Sequence, residues 1–274
     1  MKFPRALAPK THVWRGKVLI CVITMPRDHE RCDECERSFV QAGFPPPLRI
    51  PGEVHLKGQE TMHDTITRAH RLVLESFVRA GYHKKWHLLV LEDDARLQYS
   101  EPEKRLARAL DKLEKIKIWC TLHVGHVPLG PCLPLGWNLC RTTLPYAAHA
   151  IMYNRHRFPN INKTQQWGRP WFFEGMLAVP FDERFAMLPS LCGQSVTPKE
   201  MQKIPLIKSM SYQQGETFMM ILSVVEVCVI LVLASYGGIF VAKELLAKKT
   251  SGNLNKLRWG PINAKNVELP EITT

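Results

Sequence analysis

The stretch Trp86 to Gln98, WHLLVLEDDARLQ, decides the fold. Its apolar run, Leu88 to Leu91, carries no turn residue and stops at three acids, Glu92, Asp93 and Asp94. A short continuous apolar run is how a strand covered on both faces reads, and such strands belong to parallel sheets flanked by helices. In open sheets of that kind ligands collect outside the strand carboxyl ends, where these acids fall. Adjacent carboxylates repel unless a cation lies among them. Hard oxygen ligands favour Mg²⁺ or Mn²⁺, and these ions in turn favour a substrate carrying phosphates. The plainer alternative is a solvated acidic turn after a strand.

Working outward, a second strand-like run, Val18 to Thr24, is followed by the polar segment Met25-Pro-Arg-Asp-His-Glu-Arg31. Between the two runs, Thr61 to Ala80 places Ile66, Leu72, Val73, Leu74, Phe77 and Val78 at largely helical intervals. After the acids, Glu101 to Lys117 predicts a charged helix, with Pro102 near its start and a stripe of Leu106, Leu110, Leu113 and Ile116. Two more apolar runs follow: Ile118 to Val124, ending at Gly125-His126, and Tyr146 to Tyr153, ending at Asn154-Arg155. The alternation predicts one α/β domain.

The order of these pieces, from about Val18 to Gln194, resembles glycosyltransferase family 25, the lipooligosaccharide and collagen galactosyltransferase-like group. The likeness lies in VITMPRDHER with Arg27 and Arg31, VLEDDA at Val90 to Ala95, LHVGH at Leu122 to His126, AHAIMYNR at Ala148 to Arg155, WFFEGML at Trp171 to Leu177 and LPSLCGQ at Leu188 to Gln194. It departs at Thr65-Ile66 and Ala69-His70, where the family shows Gly-Cys and Ser-His, and at Glu174, one methylene longer than the family's late Asp. The resemblance implies a GT-A-like, Rossmann-type mixed sheet flanked by helices. It also implies transfer of a hexose from a nucleotide-sugar donor to a glycan or glycoprotein acceptor, with Mn²⁺ or Mg²⁺ neutralising the departing diphosphate. On that reading Asp93 and Asp94, with Glu92 beside them, hold the metal. Arg27 and Arg31 meet the donor phosphates, since guanidinium matches phosphate geometry, and His70 and His149 follow the family's donor-side pattern. Glu174, among Trp171, Phe172 and Phe173, is the candidate base of an inverting transfer, its apolar surroundings raising its affinity for a proton. Two other readings stay open: a membrane or envelope protein that keeps a transferase-like shell for binding without turnover, and a metal-dependent phosphoesterase.

Thr217 to Ala242 is apolar throughout but for one carboxylate, Glu226, and predicts a single-pass transmembrane helix. The chain is thus expected to divide into a polar leader (1–13), a glycosyltransferase domain (14–195), a juxtamembrane linker (196–216), the span (217–242) and a polar tail (243–274). The start, MKFPRALAPKTHVWRGK, has no apolar core, so a catalytic domain on the cytosolic side of the membrane is expected. Lysines after the span pull toward the opposite orientation, and the Asn162-Lys-Thr164 sequon would be an acceptor only in a lumenal domain. Eight cysteines show no disulfide-framework spacing; Cys32 and Cys35 could make a zinc site only with two ligands from Cys120, His123, His126 and Cys132. The net charge of +12 points to an anionic partner, a diphosphate donor or lipid headgroups. Nucleic acid is not expected, since no zinc finger, RNA-recognition signature or aromatic-interleaved basic run is present.

Overall fold

The computed structural model describes residues 9–25, 29–52, 62–116, 118–128, 132–136, 138–142, 145–157 and 183–194, with helical positions between 214 and 236. In chain order the elements are β1 (Val13–Trp14), β2 (Val18–Thr24), α1 (His29–Gln41), β3 (Leu48–Pro51), α2 (Met62–Arg79), β4 (His87–Glu92) and β5 (Ala95–Leu97). They continue with α3 (Pro102–Ile116), β6 (Thr121–Pro128), β7 (Cys132–Pro134), β8 (Cys140–Thr142), β9 (Pro145–Tyr153), β10 (Arg184–Ala186) and β11 (Cys192–Gln194). The main sheet runs β1-β2-β4-β9-β6-β10-β8-β7, with β3 also pairing β2, and β5 and β11 form a second, two-stranded sheet.

Every residue of β2 is buried, as are the first five of β4, because both strands are central and helices cover both faces. Cys32, Cys35 and Phe39 of α1 and Leu106, Leu110 and Leu113 of α3 pack with Leu89, Leu91 and Met152 on one face. Val73, Leu74 and Phe77 of α2 pack with Leu88, Val90, Ile151 and Tyr153 on the other. The alternation of Leu88 to Leu91 between two cores is what makes the run continuously apolar in sequence.

Local chemistry ends α1 cleanly. Gly43 adopts φ 88°, the Phe44 N–H donates to the Phe39 carbonyl, and the Gly43 N–H donates to the Val40 carbonyl, both at 3.1 Å. This is a Schellman closure, and its usual apolar contact is present as the Phe39 and Phe44 rings, 5.4 Å apart.

Strands β2, β3 and β4 are mutually parallel, whereas β9 runs antiparallel to both β4 and β6. The chain leaves β2 for β3 on one side, then returns past β2 to β4 on the other. Strand order reverses between β2 and β4, and it is outside the carboxyl ends at such a reversal that ligands collect in open α/β sheets. Because β9 is reversed, Asn154 and Arg155 lie at the opposite, amino edge. The run expected over 118–124 becomes strand only from Thr121, since Ile118 is half exposed and the Trp119 ring packs on His87, 5.1 Å between centroids.

The chain separates into two compact units, 1–227 and 228–274. The expected domain, 14–195, falls within the first. Among the described residues no helix is long and apolar enough to cross a membrane. Of the spanning helix expected over 217–242, residues 225–236 are helical, and 217, 219, 220, 223, 224 and 237–242 lie outside the described residues. Apolar side chains of this helix, Val229 to Leu233 among them, are exposed.

Candidate functional site

Strand β4 delivers Glu92 at its last position, and the turn into β5 carries Asp93 and Asp94. The three acids divide. Asp93 and Asp94, 5% and 9% exposed, turn toward the first turn of α1, where Arg31 Nη2 lies 3.1 Å from Asp93 Oδ1 and 3.0 Å from Asp94 Oδ2. Glu92 turns instead to α2, its Oε1 3.6 Å from His70 Nε2. One guanidinium thus stands between two neighbouring carboxylates, which answers the repulsion that the sequence raises. The start of α1 adds the positive end of a helix dipole.

Arg96 holds the turn in place, and sequence reasoning passed it over. Its Nη1 donates to the carbonyls of Asp93 (2.9 Å) and Ala95 (3.0 Å), and its Nη2 donates to the Arg31 carbonyl (3.0 Å) and Glu34 Oε2 (2.6 Å). A single planar fork therefore pins the acidic turn to the helix that carries Arg31. The only sequence signal was an arginine directly after an acidic turn. A groove of about 600 Å³ lined by Glu34, Arg37, Arg96 and Tyr99 runs beside it.

His70 is fully buried, and burial pushes its pKa down to about 3, so the ring facing Glu92 is neutral at pH 7. His149 is also fully buried. Its Nε2 lies 2.7 Å from the Cys192 carbonyl, and a Cβ at Gly125 would stand only 2.5 Å from that nitrogen. The close approach explains the glycine in LHVGH: the backbone of β6 must clear the imidazole. Strand β11 then pairs with β5, setting Gln194 opposite Ala95, next to Asp94. The structure thus brings Arg31 against Asp93 and Asp94, and His70 against Glu92, while His149 packs on Gly125 and the Cys192 carbonyl and Gln194 pairs opposite Ala95. Arg27 and Glu174 lie outside the described residues.

Among the described residues no group of three or more His, Cys, Asp or Glu side chains is arranged around a metal position. The four-ligand zinc set is not assembled: Cys32 and Cys35 are buried thiols inside α1, Cys32 sharing a hydrogen bond with Thr24 Oγ1 at 3.2 Å. Asp93 and Asp94 are a different case. Mg²⁺-type ions are commonly held by one or two carboxylates plus substrate phosphates rather than by an all-protein cage. Asp94 Oδ1 is buried without a hydrogen-bond partner, an acceptor that a cation would satisfy.

No family model matches the chain, and no curated protein matches it in sequence. Among solved structures it is similar to a glycosyltransferase involved in the glycosylation of the major capsid of PBCV-1, at a TM-score of 0.35 and 10% identity, over 73% of this chain and 98% of that one. It is also similar to UDP-glucose pyrophosphorylase complexed with UDP-glucose, at a TM-score of 0.34 and 10% identity, over 62% of this chain and 72% of that one. The apo form of UDP-glucose pyrophosphorylase gives 0.35 and 11% over the same shares. These are distant similarities of arrangement.

Proposed function

We propose that the protein is a glycosyltransferase that moves a hexose from a nucleotide sugar to a glycan or protein-linked acceptor with the help of Mg²⁺ or Mn²⁺. The observation that carries this reading is the pair Asp93 and Asp94: nearly buried, bridged by one arginine, and set at the point where strand order reverses.

Residue by residue, the chemistry follows from placement. Asp93 and Asp94 would hold the divalent ion. When bound, that ion would stabilise charge developing on the leaving diphosphate. Arg31, 41% exposed, meets both carboxylates through its guanidinium and can exchange a carboxylate for a phosphate oxygen. Glu92 and His70 fix the end of β4 against α2, and Arg96 fixes the turn against α1. His149 is a positioning residue, acting through Gly125 and the Cys192 carbonyl. Glu174 remains the proposed base. The helix 225–236, with its exposed apolar side chains, is the proposed membrane attachment.

The test is donor hydrolysis by the full chain across a panel of nucleotide sugars, with Mn²⁺ and with chelator. Turnover of one donor that disappears with chelator supports the proposal. Metal-dependent donor binding with no turnover would instead favour a transferase-like binding shell, and absence of both would leave the likeness to family 25 as one of fold.

A further inference from the structure

At the amino edge of the sheet, opposite the acidic turn, a cavity of about 490 Å³ opens between the turn before β2, the start of β4, the end of α3 and the end of β9. We propose that it is a binding site for a soluble phosphomonoester the size of a sugar phosphate. This inference is independent of the glycosyltransferase reading.

The floor is rigid. Trp119 and His87, 2% and 4% exposed, stack with ring planes 35° apart. Asn154, 2% exposed, donates from Nδ2 to the Trp119 carbonyl at 2.7 Å and accepts the His156 N–H on Oδ1 at 3.1 Å. Hydrogen bonds then set the histidine tautomers. His87 Nδ1 accepts the Arg155 backbone N–H at 3.1 Å, which leaves the ring hydrogen of the neutral form on Nε2. His156 Nε2 accepts from Arg155 Nε at 3.0 Å, which leaves its hydrogen on Nδ1. Arg155 is itself anchored by Nη1 to the Lys85 carbonyl at 2.7 Å, so its second terminal nitrogen is preoriented.

The result is a cavity lined by donors: the Lys17 ammonium, the Arg155 guanidinium and two imidazole N–H groups. Glu114, the carboxylate among the described lining residues, is held by Lys17 at 2.8 Å, and the Asn154 carbonyl oxygen already accepts a hydrogen bond. A donor-rich concavity of this size suits an anion with several acceptor oxygens on a compact organic body. Burial, and then the positive charges of Arg155 and Lys17 beside it, hold the His87 pKa down to about 3. A bound anion would offset those cations, so ligand binding has its own signature in that ring.

The experiment is calorimetric titration of the full chain with inorganic phosphate and with glucose 1-phosphate, and the same titrations followed by NMR of the histidine side chains. Saturable one-to-one binding is expected, tighter for glucose 1-phosphate, with shifts at His87. It should weaken about tenfold in Lys17→Gln and in Arg155→Gln, each of which removes a charge-assisted donor, and persist in Arg31→Gln, which removes the phosphate-binding candidate at the other edge. Lys17 is half exposed, so its variant keeps the fold even if the Arg155 variant does not. Absence of saturable binding, loss of it in Arg31→Gln, or full retention in Lys17→Gln would each overturn the proposal.

Discussion

Asp93 and Asp94, at the carboxyl edge, are neighbours in sequence, and a single arginine reaches both. At the amino edge Lys17, His87, Trp119 and Arg155 come from segments far apart in sequence and converge only because β2, β4, β6 and β9 start or end together there. Concentrated charge on one turn needs an external partner, and the structure supplies Arg31. Dispersed charge needs a scaffold, and the structure supplies strand ends, backbone carbonyls and two fixed tautomers. On the readings proposed above, one edge trades its cation for another, whereas the other admits an anion.

The sharpest separation of the two edges comes from Asp93→Asn with Asp94→Asn. The geometry of the turn is retained through Arg96, which bonds the Asp93 carbonyl rather than its side chain. Donor turnover should fall by about 10²–10³, the scale seen when a charge-stabilising group is removed from a transition state. Nucleoside diphosphate binding in chelator should be unchanged or tighter, since Arg31 is then released from both carboxylates. Phosphate binding at the amino edge should stay at its original affinity. Equal loss at both edges, read by diphosphate release and by titration, would mean that the variant disturbs the whole sheet and that the edges are not separate sites.

Gly125→Ala is a smaller perturbation aimed at one edge. The new methyl would stand 2.5 Å from His149 Nε2 and 2.9 Å from Cys192 Cβ, with both neighbours fully buried and unable to swing out. Overpacking of this kind costs about 1–3 kcal/mol. The strain falls on β11, which flanks the acidic turn through β5, so donor turnover should drop with the melting temperature while the His87 resonances stay in place. A melting temperature equal to that of the unaltered chain would show that Gly125 is not required for the His149 packing.

What was legible in the sequence follows the same division. Strand β4 and its acids, and helices α2 and α3, could be read because a continuous apolar run or a stripe at three and four residue intervals repeats enough times to stand out. The three-residue strands β5, β7, β8, β10 and β11 are too short for any period to show. The direction of β9 was not legible either, because an apolar run reads the same both ways. That reversal carries Asn154 and Arg155 away from the acidic edge to the other one. Arg31 could be named because it belongs to a local motif. Arg96 could not, since its importance lies in four oxygen acceptors that only the fold gathers.

The finest comparison is between two histidines, one at each edge, both held near a pKa of about 3. Burial holds His70 down, whereas His87 is held down by burial and then by the charges of Arg155 and Lys17. In both cases the folded value lies below the unfolded one of about 6.5, so on acidification the unfolded chain takes up a proton first. The stability each ring contributes is fully present above pH 6.5 and is lost as the pH falls toward 3. For a single ring the loss is about 1.4 kcal/mol at one pH unit below the unfolded value. His87→Asn retains an acceptor for the Arg155 N–H without a titrating ring, so urea unfolding at pH 7.5 and pH 5.5 should show a difference smaller by that amount. Saturating phosphate should have a similar direction of effect in the unaltered chain, because an anion beside His87 raises its folded pKa and narrows the gap. His70, at the other edge of the sheet, should not respond. If phosphate flattens the acid loss as much in His87→Asn as in the unaltered chain, the anion acts elsewhere and the contrast between the two edges fails.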